Sequence, residues 1–218
     1  MESIQLESSS DAAPARLAAF ALRLDPSEAD PSALEALLET ACAEARDRAP
    51  DSARRSAVRA MLKFGRYRAS GRGKPACELL ERFASEHAFP RISAAVDVLN
   101  AVSLRHRLPM SLVDLDRART TTFRLRRGRA EERYVFNPSG QSIELRDLLL
   151  LATAEDDEPC ANPVKDSMRT KLLPESSRIG VFVYGPDDVW METALDDLKA
   201  SYRSVWPRAE LGHRGGSQ

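Results

Sequence analysis

The sequence has few of the residues that support covalent or metal chemistry. It contains three cysteines and three histidines in 218 residues, and both sets are widely spaced along the chain. An odd number of scattered cysteines does not form a disulfide framework, and histidines spaced in this way do not match a zinc site. We therefore expect no metal and no cofactor, and thiols that remain reduced indicate a cytoplasmic protein.

Long hydrophobic runs are also absent. The longest, such as residues 148–152, are far shorter than the roughly 20 residues that a membrane-spanning helix needs. The first residues, MESIQLESSSD, lack the basic segment followed by an apolar segment that marks a secretory signal. We expect no contact with a membrane.

The common catalytic motifs are missing as well. Gly71-Arg72-Gly73-Lys74 suggests a phosphate loop, but Pro75 stands where that motif needs a Ser or Thr for magnesium. There is no GxGxxG, no GxSxG and no histidine close to a credible nucleophile. Phosphate-loop, dinucleotide-binding and Ser/His/Asp chemistry are therefore not indicated.

Charge is nearly balanced in total but unevenly distributed. The net charge is -1, yet no acidic residue lies between Asp51 and Glu78. The charged residues of that segment are all basic, namely Arg54, Arg55, Arg59, Lys63, Arg66, Arg68, Arg72 and Lys74. A second cluster follows at Arg117, Arg119, Arg124, Arg126, Arg127 and Arg129. Such asymmetry is typical of a face that meets a polyanion, although a solvated arginine-rich surface has the same pattern.

The order of the predicted elements indicates an α+β protein. Helical spacing over residues 34–45, 53–64, 76–87 and 94–105 precedes strand-like runs that include RIGVFVYG (178–185), and a closing amphipathic helix follows. Helices first and strands later favour a single domain with a mixed β-sheet flanked by helices. We predict this domain over residues 15–206, with flexible tails over 1–14 and 207–218.

Several polar residues interrupt apolar stretches and are candidate site residues. Asp97 and Asn100 lie three apart on one helix and so share a face. Others follow Pro109 or lie in the loop CANPVKDSMRTK (160–171), namely Ser111, Asp114, Asn162, Lys165, Asp166, Ser167, Arg169 and Thr170. Each also has a structural interpretation, since Asp, Asn and Ser commonly cap backbone groups and exposed cations are commonly solvated.

Four stretches read together resemble a known family. They are RYRASGRGKPACELL, FPRISAAVDVLNAVSLRHRLPMSLVDLDRA, YVFNPSGQSIEL and PCANPVKDSMRTK. These resemble the B3/B4 domain of the phenylalanyl-tRNA synthetase beta subunit, in its stand-alone bacterial form, over about residues 15–190. The resemblance implies the B3/B4 fold and hydrolysis of a wrong amino acid from a mischarged tRNA. Free-standing members are similar to trans-editing deacylases, one group of which acts on tRNA charged with canavanine.

The resemblance also implies roles for individual residues. Asn100 matches a helix asparagine that lines the editing pocket, and the 160–171 loop matches a segment beside it. We assign catalysis to Asn100, Asp166, Arg169 and Thr170, and substrate binding to Asp97, Ser111, Asp114, Asn162, Lys165 and Ser167. Ser111 replaces a histidine common in the synthetase, which leaves tyrosine and canavanine open as the amino acid.

The expected partner is the charged 3′ end of a tRNA. Because backbone contacts supply most nucleic-acid affinity, the first basic segment is the expected phosphate track. Its contacting residues are expected to be Arg59, Lys63, Arg66, Arg68, Arg72 and Lys74. Two alternatives remain, a tRNA- or RNA-binding module without catalysis and a protein-interaction domain that keeps only the fold.

Overall fold

The computed structural model describes residues 2–213. The helices are α1 (Pro31–Asp47), α2 (Ser52–Leu62), α3 (Ala76–Ser85), α4 (Ala94–His106), α5 (Leu115–Ala118) and α6 (Asp188–Val205). The strands are β1 (Gln5–Ser8), β2 (Arg16–Arg23), β3 (Met110–Asp114), β4 (Thr122–Arg127), β5 (Arg133–Val135), β6 (Ser142–Glu144), β7 (Leu149–Thr153), β8 (Pro159–Ala161), β9 (Arg178–Gly185) and β10 (Glu210–Leu211). The α+β prediction is confirmed.

One sheet has the strand order β10-β2-β9-β3, and all its pairings are antiparallel. The sequence RIGVFVYG forms β9, and seven of its eight residues are buried. Helices α1, α4 and α6 pack together, and α6 also contacts β2 and β9. A strand covered in this way reads as a continuous apolar run, which is why the sequence predicted it well.

A second sheet has the order β1-β4-β7-β8, in which β1 runs parallel to β4 and the other pairs are antiparallel. Strand β7 overlaps the apolar run 148–152, and all five of its residues are buried. Strands β5 and β6 form a separate antiparallel hairpin. Contacts between β3 and β8 bring the two larger sheets together.

The prediction of a flexible tail over residues 1–14 is wrong for its central part. Residues 5–8 form β1, and the neighbouring Ile4 is only 2% exposed. The tail predicted over 207–218 contains β10, which pairs with Leu22 and Arg23 of β2, while residues 214–218 lie outside the described part. Short two- to four-residue strands carry too little periodicity to be recognised without their partners.

Helix starts follow the capping chemistry that the sequence provides. Asp30 accepts hydrogen bonds from the N–H groups of Ser32 and Ala33, and Pro31 occupies the first turn of α1. Asp51 and Asp187 cap α2 and α6 in the same way. Within residues 2–213, no helix is long and apolar enough to cross a membrane, and no acidic, histidine and cysteine cluster suits a metal.

Candidate functional site

A cavity of about 490 Å³ lies between α4, β3 and the 162–174 segment. Its walls are mainly apolar, formed by Ala76, Ile92, Val96, Leu99, Met110, Leu112, Val164, Leu172, Leu173 and Pro174. Its polar lining consists of Ser93, Asn100, Asn162, Lys165, Asp166 and Lys171. An apolar cleft with a few convergent polar groups is the usual form of a small-molecule site.

Asp166 is the acidic residue of this lining. Its carboxylate accepts a hydrogen bond of 2.7 Å from the Ser111 hydroxyl, which in turn accepts one of 3.3 Å from the Tyr184 hydroxyl. Burial raises the pKa of Asp166 to about 6, although the bond from Ser111 and the charge of Lys171 oppose the rise. The group therefore titrates close to neutral pH.

Asn162 organises the loop that carries Asp166. Its side-chain oxygen accepts hydrogen bonds of 2.8 Å from the N–H groups of Val164 and Lys165. Its amide nitrogen donates to the hydroxyl of Tyr134, which itself donates to the Lys165 carbonyl at 2.5 Å. An asparagine commonly stabilises a turn in this way, so the loop shape is set by a buried polar network.

Two lysines lie at the edge of the cavity, and both contact Phe136 at the end of β5. The Lys165 ammonium lies 3.6 Å from the ring centroid, and the Lys171 ammonium donates to the Phe136 carbonyl at 2.7 Å. The pKa of Lys165 is lowered, mainly by burial and further by the charges of Arg72 and Lys171. A cation held over a ring keeps a defined position.

A basic groove of about 590 Å³ adjoins the cavity. Its lining is Arg55, Arg59, Gly71, Arg72, Lys74, Ala76, Glu78, Leu79, Glu81, Arg82, Ser85, Val164 and Lys165. Ala76, Val164 and Lys165 line both spaces. The N–H of Ala76 donates to the Pro163 carbonyl at 2.9 Å, which ties the start of α3 to the loop.

The structure divides the six predicted tRNA-contacting residues into three groups. Arg59 lies in the groove but forms two hydrogen bonds with Glu78, at 2.6 and 2.5 Å. Arg72 and Lys74 also line the groove, are exposed, and form no salt bridge with any described residue. The other three lie on the exposed segment before the groove and outside its lining: Lys63, Arg66 and Arg68.

Two predicted substrate-binding acids have structural partners instead. Asp97 accepts from the Ile92 N–H at 2.8 Å and pairs with Arg91, and it does not line the cavity. Asp114 caps α5 and accepts from the hydroxyl of Ser176. The structural interpretation of these carboxylates accounts for all these contacts.

Three loop residues are also outside the cavity lining. The Arg169 guanidinium lies 3.0 Å from the Glu158 carboxylate. The Thr170 hydroxyl donates to the Cys160 carbonyl at 2.9 Å, and the Ser167 hydroxyl accepts from the Arg169 N–H at 3.2 Å. Thr170 and Ser167 are buried, so their hydroxyls stabilise the loop backbone. This geometry gives no support for catalysis by Arg169 or Thr170, or for substrate contact by Ser167.

The second basic cluster is engaged within the fold. Arg126 and Arg127 are each 4% exposed. Arg126 binds Glu132 and Asp157, whereas Arg127 donates to the carbonyls of Met61 and Leu62 at the end of α2. Arg117 donates to the carbonyls of Met168 and Arg169. Charge counting could not separate these internal arginines from an exposed surface.

Several residues of the site carried no recognisable sequence signal. Tyr134 and Tyr184 belong to strands and Phe136 directly follows β5, and at such positions an aromatic residue usually indicates only packing. Lys171 is the last residue of the predicted loop, and the sequence indicates no specific role for it. Contacts between the hairpin and the loop, which are distant in sequence, reveal Tyr134 and Phe136, and the bond to Ser111 reveals Tyr184.

Comparisons with known proteins identify the family and the fold. A family described as the B3/4 domain matches residues 68–203. The fold is similar to a crystal structure of an N-terminal fragment of the phenylalanyl-tRNA synthetase beta subunit from Pyrococcus horikoshii, with a TM-score of 0.56 and 9% identity. The similarity covers 97% of this chain and 51% of that fragment, so the chain spans about half its length. No curated protein gives a significant match.

Proposed function

The chain belongs to the B3/4 domain family, and from this premise we propose that it is a hydrolase that removes the amino acid from a mischarged tRNA. The family match and the synthetase-like fold support a role connected with tRNA. Hydrolysis in trans and the choice of amino acid are the further steps of the proposal, as is the cytoplasmic location expected from the sequence.

The observation that carries the proposal is the shared wall of the cavity and the basic groove. Ala76, Val164 and Lys165 line both. The 3′ end of a charged tRNA has the same two parts, an amino acid of small volume and a phosphate backbone beside it. The cavity suits the amino acid. The groove suits the phosphate backbone, because Arg72 and Lys74 have no carboxylate partner among the described residues.

The reaction asks little of the protein because an aminoacyl ester is already activated. A water molecule attacks the ester carbonyl carbon and the bond from that carbon to the ribose oxygen breaks. The departing ribose oxygen takes one proton of the water and becomes a hydroxyl, and the amino acid leaves as its carboxylate with the second proton released to solvent. In this proposal the charged Asp166 accepts from the amino group of the substrate, and Asn100 orients the ester. Lys165 stabilises the oxyanion or the terminal phosphate. Positioning and charge stabilisation supply the acceleration, so no covalent nucleophile is needed.

Tyrosine and canavanine remain the two candidate amino acids. Each has an apolar body and a polar tip, which suits apolar walls with a few polar groups. The loss of Asp97 and Asp114 from the site weakens the argument for a cationic side chain, because Asp166 is then the acid among the described lining residues. Asp166 cannot pair with both the amino group and a cationic tip.

The test is a deacylation panel. Purified protein is mixed with tRNAs mischarged with tyrosine, canavanine and other amino acids, next to the correctly charged tRNAs. We expect rapid release from one mischarged tRNA while its correct counterpart is spared. Release at the uncatalysed rate from every tRNA would reject the hydrolase.

Variants connect the activity with the cavity. Asp166→Asn and Asn100→Ala should each lower the rate at least tenfold with little change in tRNA affinity. Asp156→Asn is the matched control because Asp156 is exposed and does not line the cavity. Equal rates in Asp166→Asn and wild type would place the chemistry elsewhere.

The second candidate, a tRNA-binding module without catalysis, is favoured by the groove alone. It predicts equal affinity for charged and uncharged tRNA, and release of the amino acid at the uncatalysed rate from every tRNA in the panel. Replacing Arg66, Arg68 and Arg72 together by alanine tests both candidates, because unchanged tRNA affinity would leave only a protein-interaction domain.

A further inference from the structure

Two buried hydroxyl groups form a chain that ends on the cavity. Tyr184 of β9 donates to Ser111 of β3 at 3.3 Å, and Ser111 donates to Asp166 at 2.7 Å. Both donors are 0% exposed, whereas the Asp166 carboxylate is partly exposed and lines the cavity. The chain therefore runs from the centre of one sheet to the candidate site.

The hydroxyls occupy positions where apolar residues would be expected. All five residues of β3 are buried, and Ser111 is paired in register with Phe182 of β9. Burying a hydroxyl costs free energy unless it is hydrogen-bonded. A serine hydroxyl has one proton. When Tyr184 donates to the Ser111 oxygen, the serine proton is free to point at Asp166.

We propose that Ser111 and Tyr184 are positioning residues that hold the Asp166 carboxylate in one orientation, charged, toward the amino group of the substrate. The inference rests on the proposed function only for the identity of the ligand. Neither hydroxyl lines the cavity, so both act through Asp166. The sequence predicts that Ser111 contacts the substrate, but Ser111 lies outside the cavity lining and reaches the cavity through Asp166.

Other groups around Asp166 belong to four elements and must be considered in any titration. Lys171 lowers its pKa, as do contacts with the backbone of Asn162 and Leu112. The charge of Asp166 in turn raises the pKa of Tyr134, Tyr184 and Cys160, for which burial is the larger cause. These three are neutral near pH 6, so they do not titrate together with Asp166. The pKa of Lys165, next in the chain, is lowered mainly by burial and further by the charges of Arg72 and Lys171.

The direct test is carbon-13 NMR titration of the aspartate carboxyl groups, with Asp166→Asn used to assign the signal. In the wild type we expect Asp166 to titrate near pH 6. Ser111→Ala removes a donor to the charged form, so the midpoint should rise by about one pH unit. Ser111→Thr keeps the hydroxyl and should restore it, and Tyr184→Phe should give a smaller rise in the same direction.

The pH dependence of deacylation is the second readout. If the midpoint moves by about one unit, the charged fraction falls about fivefold at pH 6 and hardly at pH 8. The Ser111→Ala rate should follow this pattern, whereas a purely structural role gives the same loss at both pH values. An Asp166 midpoint equal to that of the wild type in both Ser111→Ala and Tyr184→Phe overturns the inference. A shifted midpoint in a protein that deacylates no tRNA supports it and rejects the proposed hydrolase.

Discussion

The ammonium group of Lys165 lies 3.6 Å from the ring centroid of Phe136. This contact joins the β5–β6 hairpin to the 162–171 loop at the point where the basic groove meets the cavity, because Lys165 lines both. The hairpin thus influences the site by fixing the position of the Lys165 ammonium, although Phe136 itself lines neither the groove nor the cavity.

Phe136→Leu should weaken the binding of charged tRNA two- to fivefold. Leucine keeps an apolar side chain but removes the ring face, and a cation–π contact contributes about 0.5–1 kcal/mol at exposed sites. The change should appear in KM for deacylation or in Kd from a filter-binding assay. Val135→Ala, at the neighbouring exposed residue that ends β5, is the control. Equal Kd values for all three proteins would mean that the ring does not position Lys165.

Arg72→Ala combined with Lys74→Ala should reduce both tRNA affinity and its dependence on salt. Two lost phosphate contacts lower the slope of log K against log salt by about 1.4–1.8, since each contact contributes roughly 0.7–0.9. The measurement is affinity over a series of salt concentrations. Arg203→Ala with Arg208→Ala removes the same charge at the end of α6 and should leave the slope unchanged. If both double variants lower the slope equally, the phosphate contacts are spread over the protein surface and are not concentrated in the groove.

Arg127→Met should lower the free energy of unfolding by about 3 kcal/mol. Methionine fills the space but leaves the Met61 and Leu62 carbonyls without their donor, and a buried unsatisfied group costs about 1–3 kcal/mol. Urea unfolding measures the loss. Arg129→Met, where the side chain is largely exposed, should cost less than about 1 kcal/mol. Lower tRNA affinity in Arg127→Met with unchanged unfolding would instead assign the second basic cluster to binding.

Asp197→Asn should destabilise the protein at neutral pH and much less in acid. Burial alone would raise the pKa of this carboxyl, but hydrogen bonds from His106 and Arg105 lower it to about 2. Because the folded-state pKa lies below the unfolded value, the charged carboxylate stabilises the folded protein above about pH 4. This stabilisation is lost as the pH falls toward 2. The contribution is about 2 kcal/mol at pH 7, and about half of it remains at pH 3.

Urea unfolding of Asp197→Asn and wild type at pH 7 and pH 3 measures this difference. The neighbouring Asp196 is exposed, so Asp196→Asn serves as the control and should match the wild type at both pH values. A constant difference between pH 7 and pH 3 would show that the loss comes from packing rather than from charge.

The sequence predicted most long elements because their patterns are local. β9 is a buried apolar run, and α1 has a capping aspartate followed by proline and apolar residues at helical spacing. β1 and β10 escaped prediction because a strand of two to four residues is defined by its partner, which is over 100 residues away in both cases.

The candidate site was predicted only in part, because some of its residues form a local sequence pattern and others are brought together by distant strands. The 160–171 loop supplied Asn162, Lys165 and Asp166 to the lining, and α4 supplied Asn100. Asp97 and Asp114 were misplaced because a capping carboxylate and a ligand-binding carboxylate have the same sequence pattern until their hydrogen-bond partners are known. Tyr184 and Phe136 could be recognised only after the strands had placed them beside the loop.

The hydrogen bond from the Ala76 N–H to the Pro163 carbonyl has a consequence for mutagenesis. It joins two main-chain groups, so replacing side chains by alanine cannot remove it, and scanning of the site would not detect it. Ala76 is the first residue of α3, where proline is well tolerated, and Pro75 already has the extended conformation (φ -60°, ψ 147°) that precedes proline. Ala76→Pro therefore deletes this single donor while the helix can still form. If the groove and the cavity act as one site, that variant should still bind uncharged tRNA but deacylate its charged form more slowly.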